Sequence, residues 1–595
     1  MTESYDILIK NAEIVDGTGR SRFKADVGIV GEKIAAVGNL TGSAGRTINA
    51  EGLVLSPGFA EPHSHAELNI LQYPLAENLI MQGITTFIGG NCGHCRAPLH
   101  NTAYASRWME YIGAGPTEGV VPDWRTFGEF LDRVDANGLS VNLIPLVGHG
   151  AIRLAVMGED FKRKAAPPEV NQMKAHIKEA LDSGAFGMSA GMDYEGELAD
   201  PDAEVVELLK MVQERDGIFA PHTRNLDYRV WVPDPEDFGY GRSHLHKEDA
   251  WLGRYHGVLE AVETATLANK IRTHIAHFPI AYAIFQPHPD YLEEAAARAT
   301  LDEIINKPRS QGVDVSFNDM AMAFGYRTQI INSFYNSLLN IPEWIRTTPR
   351  EILVERMKFR AFRDRLKEYA FSGTFKFGMI PPGTDPYWVD CFRIADCKIK
   401  EYEGKTMGEV ARMRSPHRAM DAVYNQAVEA VCDILVEDPT ATWEFILDKR
   451  FTDITLEVFF KHPAAFPMID SLSIPAKAPP DMAQAPLFFG GFPLFIDKYV
   501  KQKSVLTLEE AIHRACYQPL QYIAKVKDRG VIREGAYADI IVFDFDRIRM
   551  TGTFAEPALP TDGMEFVIVN GQVAYEGQKH TGVKSGKVLR HTGAK

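Results

Sequence analysis

Both ends of the chain carry short strand-like runs of apolar residues, several of them alternating with polar residues. Tyr5 to Lys10 and Lys33 to Val37 are examples near the N-terminal end, and Ala538 to Phe543 is one near the C-terminal end. A two-residue alternation is typical of strands that bury one face. We therefore predict a small β-sandwich built from both termini, residues 1–57 together with residues 529–595.

Between these ends, apolar runs typical of buried strands alternate with helical patterns. Val141 to Val147 is such a strand, and a helix follows from Pro168 to Asp182, with apolar Met173, Ile177 and Leu181 at a spacing of four. The same order continues through the segments 185–189, 203–215, 218–222, 258–269, 271–277, 301–306 and 313–317. This many strand–helix units predict an α/β chain with a TIM-like (β/α)8 barrel over residues 58–528.

One long segment interrupts this alternation. Residues 325 to about 415 are rich in arginine, lysine and aromatic side chains, and we predict that they form an insertion packed over the barrel mouth. The barrel resumes at Phe466 to Asp470, the predicted last strand. Thr507 and Glu510 form a capping box that predicts the start of a further helix.

Composition and charge restrict the partners of the protein. The net charge of -15 over 595 residues argues against nucleic acid and against anionic membrane surfaces. No run approaches the roughly 18 apolar residues of a membrane span, and the first residues do not have the pattern of a secretory signal. Six cysteines in so long a chain fit a reducing cytoplasm. We expect a cytoplasmic protein that acts on a small molecule, and self-association is left open.

Histidine, cysteine and aspartate residues stand where several predicted barrel strands end. The C-terminal ends of the strands form the face on which barrel enzymes build their sites. The six candidate metal ligands are His63, His65, Cys92, His222, His277 and Asp470. Residues i and i+2 of a strand point the same way, so the first two histidines project together. Thiolate and imidazole donors favour zinc, and this set predicts one or two zinc ions.

Each candidate ligand also has an ordinary structural interpretation when it is taken singly. Cys92 fits a small buried hydrophobic residue, His277 a core histidine bonded to backbone, and Asp470 a helix cap. A lone His-x-His triplet is a metal site in roughly one case in ten. The coincidence of six such residues at predicted strand ends favours the metal site.

Several longer motifs resemble the amidohydrolase superfamily and, within it, the N-acyl-D-amino-acid deacylases (D-aminoacylases). The motifs cover nearly the whole chain. They are PGFAEPHSH at 57–65, GITTFIGGNCG at 83–93, LVGHG at 146–150 with Arg153, GAFGMSAGMDY at 184–194, HTR at 222–224, IAH at 275–277 and DRG with GAYAD at 528–539.

The resemblance implies a TIM-like barrel beside a β-sandwich and assigns a role to each candidate ligand. A tight zinc would be held by the residues matching Cys92, His222 and His277. A second, weaker zinc would lie at those matching His63 and His65, near Cys92 and Asp470.

Further site residues follow from the same motifs. The counterpart of Asp470 is the general base and then the general acid of amide hydrolysis. Arg224 is expected to act as a catalytic donor to the amide carbonyl, and His149 and Tyr194 are expected to contact the substrate. Glu61 stands where the family has aspartate.

Three motifs that would bind a substrate carboxylate in the family are altered. Proline 279 replaces a lysine after His277-Phe278, Asn318-Asp319-Met320 replaces Tyr-Pro-Tyr, and Ala485-Pro486-Leu487 replaces a motif with arginine. A buried carboxylate without a partner is costly, so these changes favour a hydrophobic, neutral substrate. The predicted pocket residues are Phe278, Met320, Leu487 and Phe488. Arg224, Arg272 and Arg327 remain candidates for the missing positive charge.

The favoured hypothesis is a zinc amidohydrolase that cleaves the C–N bond of a linear amide, an N-acyl amine or an N-acyl amino acid. Two other enzymatic hypotheses stay open: a true N-acyl-D-amino-acid deacylase and a cyclic amide or imide hydrolase. The cysteine motif speaks against the cyclic amide hydrolase, since hydantoinase-like relatives usually carry a carboxylated lysine. A non-catalytic scaffold is disfavoured because all six candidate ligands are present.

Overall fold

The structure is a computed structural model and describes most of the chain. The described residues are 4–99, 119–161, 163–192, 194, 201–224, 253–282, 288–323, 325–335, 341, 343–371, 388–415, 419–446, 452–478, 482 and 484–592. Among them, no helix combines the length and the apolar character that crossing a bilayer requires.

Strands occur throughout the described chain and are numbered in chain order. They are β1 Ser4–Ile14, β2 Phe23–Val30, β3 Lys33–Gly38, β4 Ser43–Asn49, β5 Val54–Pro57, β6 Phe59–Glu61, β7 Ile84–Gly89, β8 Asn142–Pro145, β9 Val147–Gly148, β10 Gly187–Gly191, β11 Ile218–His222, β12 Thr273–Ile275, β13 Val315–Met320, β14 Gly325–Gln329, β15 Phe392–Asp396, β16 Thr442–Ile446, β17 Ala465–Met468, β18 Ile540–Phe543, β19 Met564–Val569, β20 Gln572–Glu576 and β21 Lys579–His580.

Helices fill most of the connections between these strands. The α-helices are Glu77–Ile80, Phe127–Asn137, His149–Met157, Pro167–Asp182, Pro201–Glu214, Gly253–Leu267, Asp290–Leu301, Lys307–Ser310, Glu343–Arg346, Arg350–Arg356, Arg360–Ala370, Met407–Arg414, Met420–Glu437, Asp453–Lys461, Leu487–Ile496 and Leu508–Ile512. Thr507 caps the last of these through the predicted capping box with Glu510.

One sheet joins the two ends of the chain. Its strand order is β21-β20-β19-β18-β5-β1-β2-β3, and β4 also pairs with β1. Strands β5 and β18 are antiparallel, with Leu55 opposite Val542. The buried apolar residues of both ends, such as Ile9 and Ile540, pack into one hydrophobic cluster. The two ends therefore pair as expected, whereas the domain boundaries at 57 and 529 stay predictions.

Parallel strands form the central barrel. The described pairings are β6-β7-β8 and β9-β10-β11-β12-β13-β17. Only Leu146 separates β8 from β9, so the two are halves of one broken strand and the barrel has eight strand positions among the described residues. Strands such as β7 are buried along their whole length, because helices cover one face and barrel side chains fill the other. The predicted TIM-like barrel is confirmed.

The insertion begins after β13, at the C-terminal end of that barrel strand. It contains the antiparallel sheet β14-β16-β15 and a hydrophobic core of its own. In this core the rings of Phe392 and Trp443 lie 4.3 Å apart. Helix Met420–Glu437 and strand β16 belong to the same packed unit, so the described unit extends past the predicted end near 415 to Ile446. Residues 336–340, 342 and 372–387 of the predicted insertion lie outside the described residues.

Candidate metal centre

The candidate ligands leave the barrel strands in unusual backbone conformations. Cys92, His277 and Asp470 all have positive φ, at 54°, 32° and 54°. Such a conformation costs a non-glycine residue on the order of 1–3 kcal/mol and persists where the surrounding structure enforces it. At His277 the enforcing contact is visible, since its backbone N–H donates to Asn318 Oδ1 at 2.6 Å. The side chains at these turns are therefore held in place before any ligand binds.

The first two histidines follow β6 and are tied to neighbouring strand ends. The N–H of Ser64 donates to the carbonyl of Ile88 at 3.0 Å, and the N–H of His65 donates to the carbonyl of Ser471 at 3.0 Å. These bonds fix the His-x-His segment between the loops that follow β7 and β17.

The cysteine motif forms a tight loop after β7. Gly90 has φ +84°, and a Cβ at this position would lie 2.0 Å from the carbonyl oxygen of Leu146. Asn91 donates from its side chain to the carbonyls of Ile88, at 2.9 Å, and Ser64, at 3.3 Å. Glycine at position 90 thus permits the close approach of two loops, and Asn91 ties the Cys92 loop to the histidine segment.

The six candidate ligands converge in one cluster. Cys92 Sγ lies 3.2 Å from His63 Nε2, 3.7 Å from His222 Nδ1 and 3.6 Å from His277 Nε2. The nitrogens of His222 and His277 are 3.0 Å apart.

Asp470 lies beside the two histidines that follow β6. Its Oδ1 is 3.6 Å from His63 Nε2 and 3.4 Å from His65 Nε2. The structure therefore brings together every ligand that the sequence predicted.

Burial controls the protonation of this cluster. Burial, and then the neighbouring imidazoles of His277 and His65, hold the pKa of His63 well below its usual range. Burial and then His277 lower the pKa of His65 to about 4. These histidines are therefore neutral at pH 7, which is the form of imidazole that binds metals. Burial also raises the pKa of Asp470 to about 7.

The cluster fits zinc by its donor chemistry. Two overlapping sets place ligand atoms within 4.8 Å of one another, His63–His65–Cys92 and Cys92–His222–His277, and a third set adds Asp470. A buried thiol surrounded by neutral imidazoles is a soft donor set of the kind that zinc prefers. Cys92 is shared between the first two sets, so the arrangement has room for one ion or for a bridged pair.

The histidine of the Gly-His-Gly motif faces away from solvent and is bound by a carboxylate. His149 begins helix His149–Met157, and its Nε2 lies 2.6 Å from Glu204 Oε1. Arg153 Nη1 donates to the other oxygen of Glu204 at 2.5 Å. Burial raises the pKa of Glu204, but the bonds and charges of His149 and Arg153 outweigh it and lower the pKa to about 2. These contacts give His149 a structural partner, and its contact with substrate stays a prediction.

Arg224 is bound in a similar way. Its Nε donates to both carboxylate oxygens of Glu260, at 3.0 and 2.7 Å, and both side chains are buried. Glu260 therefore neutralises much of the charge that was expected to face the amide carbonyl or a substrate carboxylate. The predicted catalytic role of Arg224 is not decided by this contact.

Tyr194 lies at the edge of the metal cluster. Its hydroxyl is 3.2 Å from His222 Nδ1, and its ring stacks on His94 at a centroid distance of 5.0 Å. His94 in turn lies 5.7 Å from the ring of His65. A phenol held by a stacked ring next to a ligand nitrogen is well placed to donate to a bound substrate.

The four predicted pocket residues are all packed within the hydrophobic core or against it. Phe278 is only 2% exposed, and its ring packs on Phe317 at 4.5 Å and on Phe459 at 5.3 Å. Strand β12 ends at Ile275, two residues earlier than predicted, and Phe278 lies three residues beyond its end. Met320 and Leu487 are nearly buried and Phe488 is partly buried. Their contact with substrate stays a prediction.

Three residues that position the site were missed by the sequence reasoning. Glu204 and Glu260 stand on helices with no motif around them, and their partners His149 and Arg224 lie 55 and 36 residues away. Asn318 was noticed as a departure from the family pattern, but its bond to His277 was not expected. Its place as a polar residue directly after the predicted strand 313–317 is a signal that could have identified Asn318.

The whole chain is similar to curated bacterial deacylases. It is 26% identical over 592 residues to the N-acyl-D-glutamate deacylase of Alcaligenes xylosoxydans xylosoxydans, covering 99% of this chain and 97% of the relative. It is 24% identical over 595 residues to the D-aminoacylase of the same organism, covering 100% and 99%. A scan against protein-family models gives no match.

A solved structure agrees with these relatives. The N-acyl-D-glutamate deacylase of Bordetella bronchiseptica, complexed with zinc and a phosphonate inhibitor, matches with a TM-score of 0.68 and 25% identity, over 99% of this chain and 100% of that one. The expected resemblance to the deacylases is thus confirmed. Over nearly its whole length, the chain is a homologue of proteins named N-acyl-D-glutamate deacylase and D-aminoacylase.

Proposed function

We propose that the protein is a zinc-dependent amidohydrolase that cleaves the C–N bond of a linear amide, and that its substrate is hydrophobic and neutral. The observation that carries this proposal is the convergence of Cys92 with the histidines of three strand ends beside Asp470. When bound, zinc lowers the pKa of a water to about 7 and polarises a carbonyl oxygen.

Cys92, His222 and His277 would hold the tightly bound zinc ion. His63 and His65 would hold a second, more weakly bound ion. The first set combines a thiolate with two imidazoles whose atoms lie 3.0 to 3.7 Å apart. The two histidines of the second set lie beside Asp470 Oδ1, at 3.6 Å for His63 Nε2 and 3.4 Å for His65 Nε2.

Asp470 is the proposed proton carrier of the reaction. Its ionised carboxylate accepts a proton from the attacking water and returns it to the nitrogen of the scissile amide, which then leaves as a neutral amine. It lies 3.4 Å from His65 and 3.6 Å from His63, and its ligand atom is within 4.8 Å of that of His277, so it is near ligands of both proposed ions. General acid–base catalysis of this kind contributes about 10² to 10⁴ in rate.

Tyr194 is the donor that we favour for the amide carbonyl oxygen. Its hydroxyl lies beside a ligand nitrogen of the cluster, whereas the Nε of Arg224 is bonded to Glu260. Arg224 would then act mainly by holding the loop after His222. His149 is held by its contact with Glu204 and would support the same side of the site as Arg224.

A neutral substrate is favoured by the charges around the site. The lysine and arginine of the family motifs are replaced by Pro279 and by Leu487, and Arg153 and Arg224, both buried, already face glutamates. An additional buried carboxylate would therefore need a partner from elsewhere. We further propose that the reaction takes place in the cytoplasm.

A second candidate function is deacylation of an N-acyl-D-amino acid. Similarity over nearly the whole chain to relatives named N-acyl-D-glutamate deacylase and D-aminoacylase favours it. In that case a further cation, such as Arg327 of the insertion, would bind the α-carboxylate.

A paired hydrolysis assay on zinc-loaded protein tests the two candidates. One substrate is an N-acyl-D-amino acid with a hydrophobic side chain, and the other is the same compound with its carboxylate amidated. We expect the amidated compound to have the higher kcat/KM. A preference for the acid would contradict the neutral pocket, and hydrolysis of neither compound by zinc-loaded protein would contradict the amidohydrolase assignment for this substrate class.

A further inference from the structure

A buried carboxylate joins the first and last strands of the barrel directly beside the candidate metal centre. Glu61 is the last residue of β6 and is fully buried. Its Oε1 accepts the backbone N–H of His63 at 2.8 Å. Its Oε2 accepts the backbone N–H of Ile469, which precedes Asp470, at 2.9 Å.

This carboxylate occupies the place where the barrel is not closed by strand pairing among the described residues. β6 pairs with β7 and β17 pairs with β13, while no ladder is described between β6 and β17. The next contact across the same seam is the bond from the N–H of His65 to the carbonyl of Ser471. The seam is therefore held by Glu61 on one side of the metal ligands and by this backbone bond on the other.

We infer that Glu61 is a positioning residue that sets the separation between His63 and Asp470. The Glu61 carboxylate accepts the backbone N–H of His63 and the backbone N–H of Ile469, the residue before Asp470. The distance of 3.6 Å between His63 Nε2 and Asp470 Oδ1 therefore depends on the span of this side chain. Asp470 has a positive φ, and a bond to the preceding amide helps to enforce that turn. The inference rests on the proposed function, because it assigns Glu61 to the action of Asp470.

Two substitutions each prevent Glu61 from accepting both backbone N–H groups. In Glu61→Gln one acceptor becomes an NH₂ group, which cannot accept a backbone N–H. In Glu61→Asp both acceptors remain, but the side chain is one methylene shorter and does not reach both amides. If Glu61 acts by accepting both backbone N–H groups, both variants lose the alignment of Asp470 with the histidines.

Glu293 offers a matched control. It is also a buried glutamate, 2% exposed, and it accepts the N–H of Thr452 at 2.7 Å and the hydroxyl of Thr455 at 2.7 Å. These bonds join helices Asp290–Leu301 and Asp453–Lys461 outside the barrel. Glu293→Gln replaces a buried carboxylate by an amide, the same chemical change as in Glu61→Gln, without touching the metal ligands.

The experiment compares zinc-loaded full-length wild type, Glu61→Gln, Glu61→Asp and Glu293→Gln. We measure kcat and KM, the affinity for zinc by chelator competition, and the midpoint of thermal unfolding. For both Glu61 variants we expect kcat to fall about 10- to 100-fold with little change in KM, as found for outer partners of metal sites. For Glu293→Gln we expect a lower unfolding midpoint with an unchanged kcat.

Two results would overturn the inference. One is a kcat in either folded Glu61 variant that matches wild type. The other is an equal loss of kcat in Glu293→Gln, which would mean that general destabilisation explains the effect. If the wild type hydrolyses no amide, the proposed function fails, and the inference about Glu61 is then tested by zinc affinity alone. The more weakly bound zinc should bind about 10- to 100-fold less tightly to Glu61→Gln than to wild type. Its affinity for Glu293→Gln should equal that for wild type.

Discussion

Replacing Asp470 by asparagine tests the proposed mechanism most directly. Asparagine has nearly the same shape as aspartate, so the side chain can stay beside His63 and His65, where Oδ1 now lies 3.6 and 3.4 Å from the ring nitrogens. The amide has no carboxylate to take up a proton at neutral pH. The substitution therefore removes proton transfer and leaves the architecture intact.

The expected loss follows from the contribution of proton transfer. General acid–base catalysis contributes about 10² to 10⁴ in rate. At 1.36 kcal/mol per factor of ten, this raises the activation barrier by about 3 to 5.5 kcal/mol. Because one residue serves both the attack and the departure of the amine, we expect the upper part of this range.

The assay measures kcat and bound zinc on the same preparations. Asp470 is not among the residues proposed to hold the tight zinc, Cys92, His222 and His277, so bound zinc should stay near the wild-type level. Asp319→Asn is the matched control. Asp319 is a buried carboxyl near the end of the adjacent strand β13, and it belongs to none of the metal sets.

The result that would refute this reasoning is a turnover in Asp470→Asn within about tenfold of wild type with normal bound zinc. Such a result would mean that another group carries the proton. A comparable loss in Asp319→Asn would mean that any buried charge change at this end of the barrel disturbs the site.

Three further predictions concern single residues. Cys92→Ser should lose the tight zinc, measured as metal retained after dialysis, because its sulfur is shared by two of the ligand sets. Glu204→Gln should lower the free energy of unfolding by about 3 kcal/mol at pH 7, measured in urea. Since the folded pKa of Glu204 is about 2, below its usual 4.5, this stabilisation is present above pH 4.5 and is lost as the pH falls toward 2, so variant and wild type should converge there. Phe278→Ala should cost about 3 to 5 kcal/mol of stability with unchanged bound zinc, and a large rise in KM with little loss of stability would contradict its placement in the core.

The positions of the metal ligands could be predicted because they follow from strand geometry. His63 and His65 come directly after β6, which ends at Glu61, and the barrel brings all strand ends to one side. The partners of buried charges could not be predicted in the same way. Glu204 contacts His149, and Glu260 contacts Arg224, only because separate elements pack together. No local sequence pattern predicts these contacts.

The sequence pattern also did not predict where strand β12 ends, and this affected the predicted pocket. The run from Ile271 to His277 looks continuous, yet β12 ends at Ile275 and His277 adopts a positive φ. The side chain of Phe278 then turns into the aromatic core beside Phe317. The insertion was detected by its composition, but its extent to Ile446 depends on long-range pairing of β14 with β16.

The sheet that joins the two chain ends also has a consequence for synthesis on the ribosome. β5 pairs with β1 on one edge, but its other edge pairs with β18, where Leu55 meets Val542. At about 5 to 20 residues per second, this edge stays open for roughly half a minute or longer after it emerges. During that time the nascent chain exposes an apolar strand edge, a known starting point for aggregation. The newly made chain would then need a chaperone until its C-terminal strands leave the ribosome, and not only until the barrel forms.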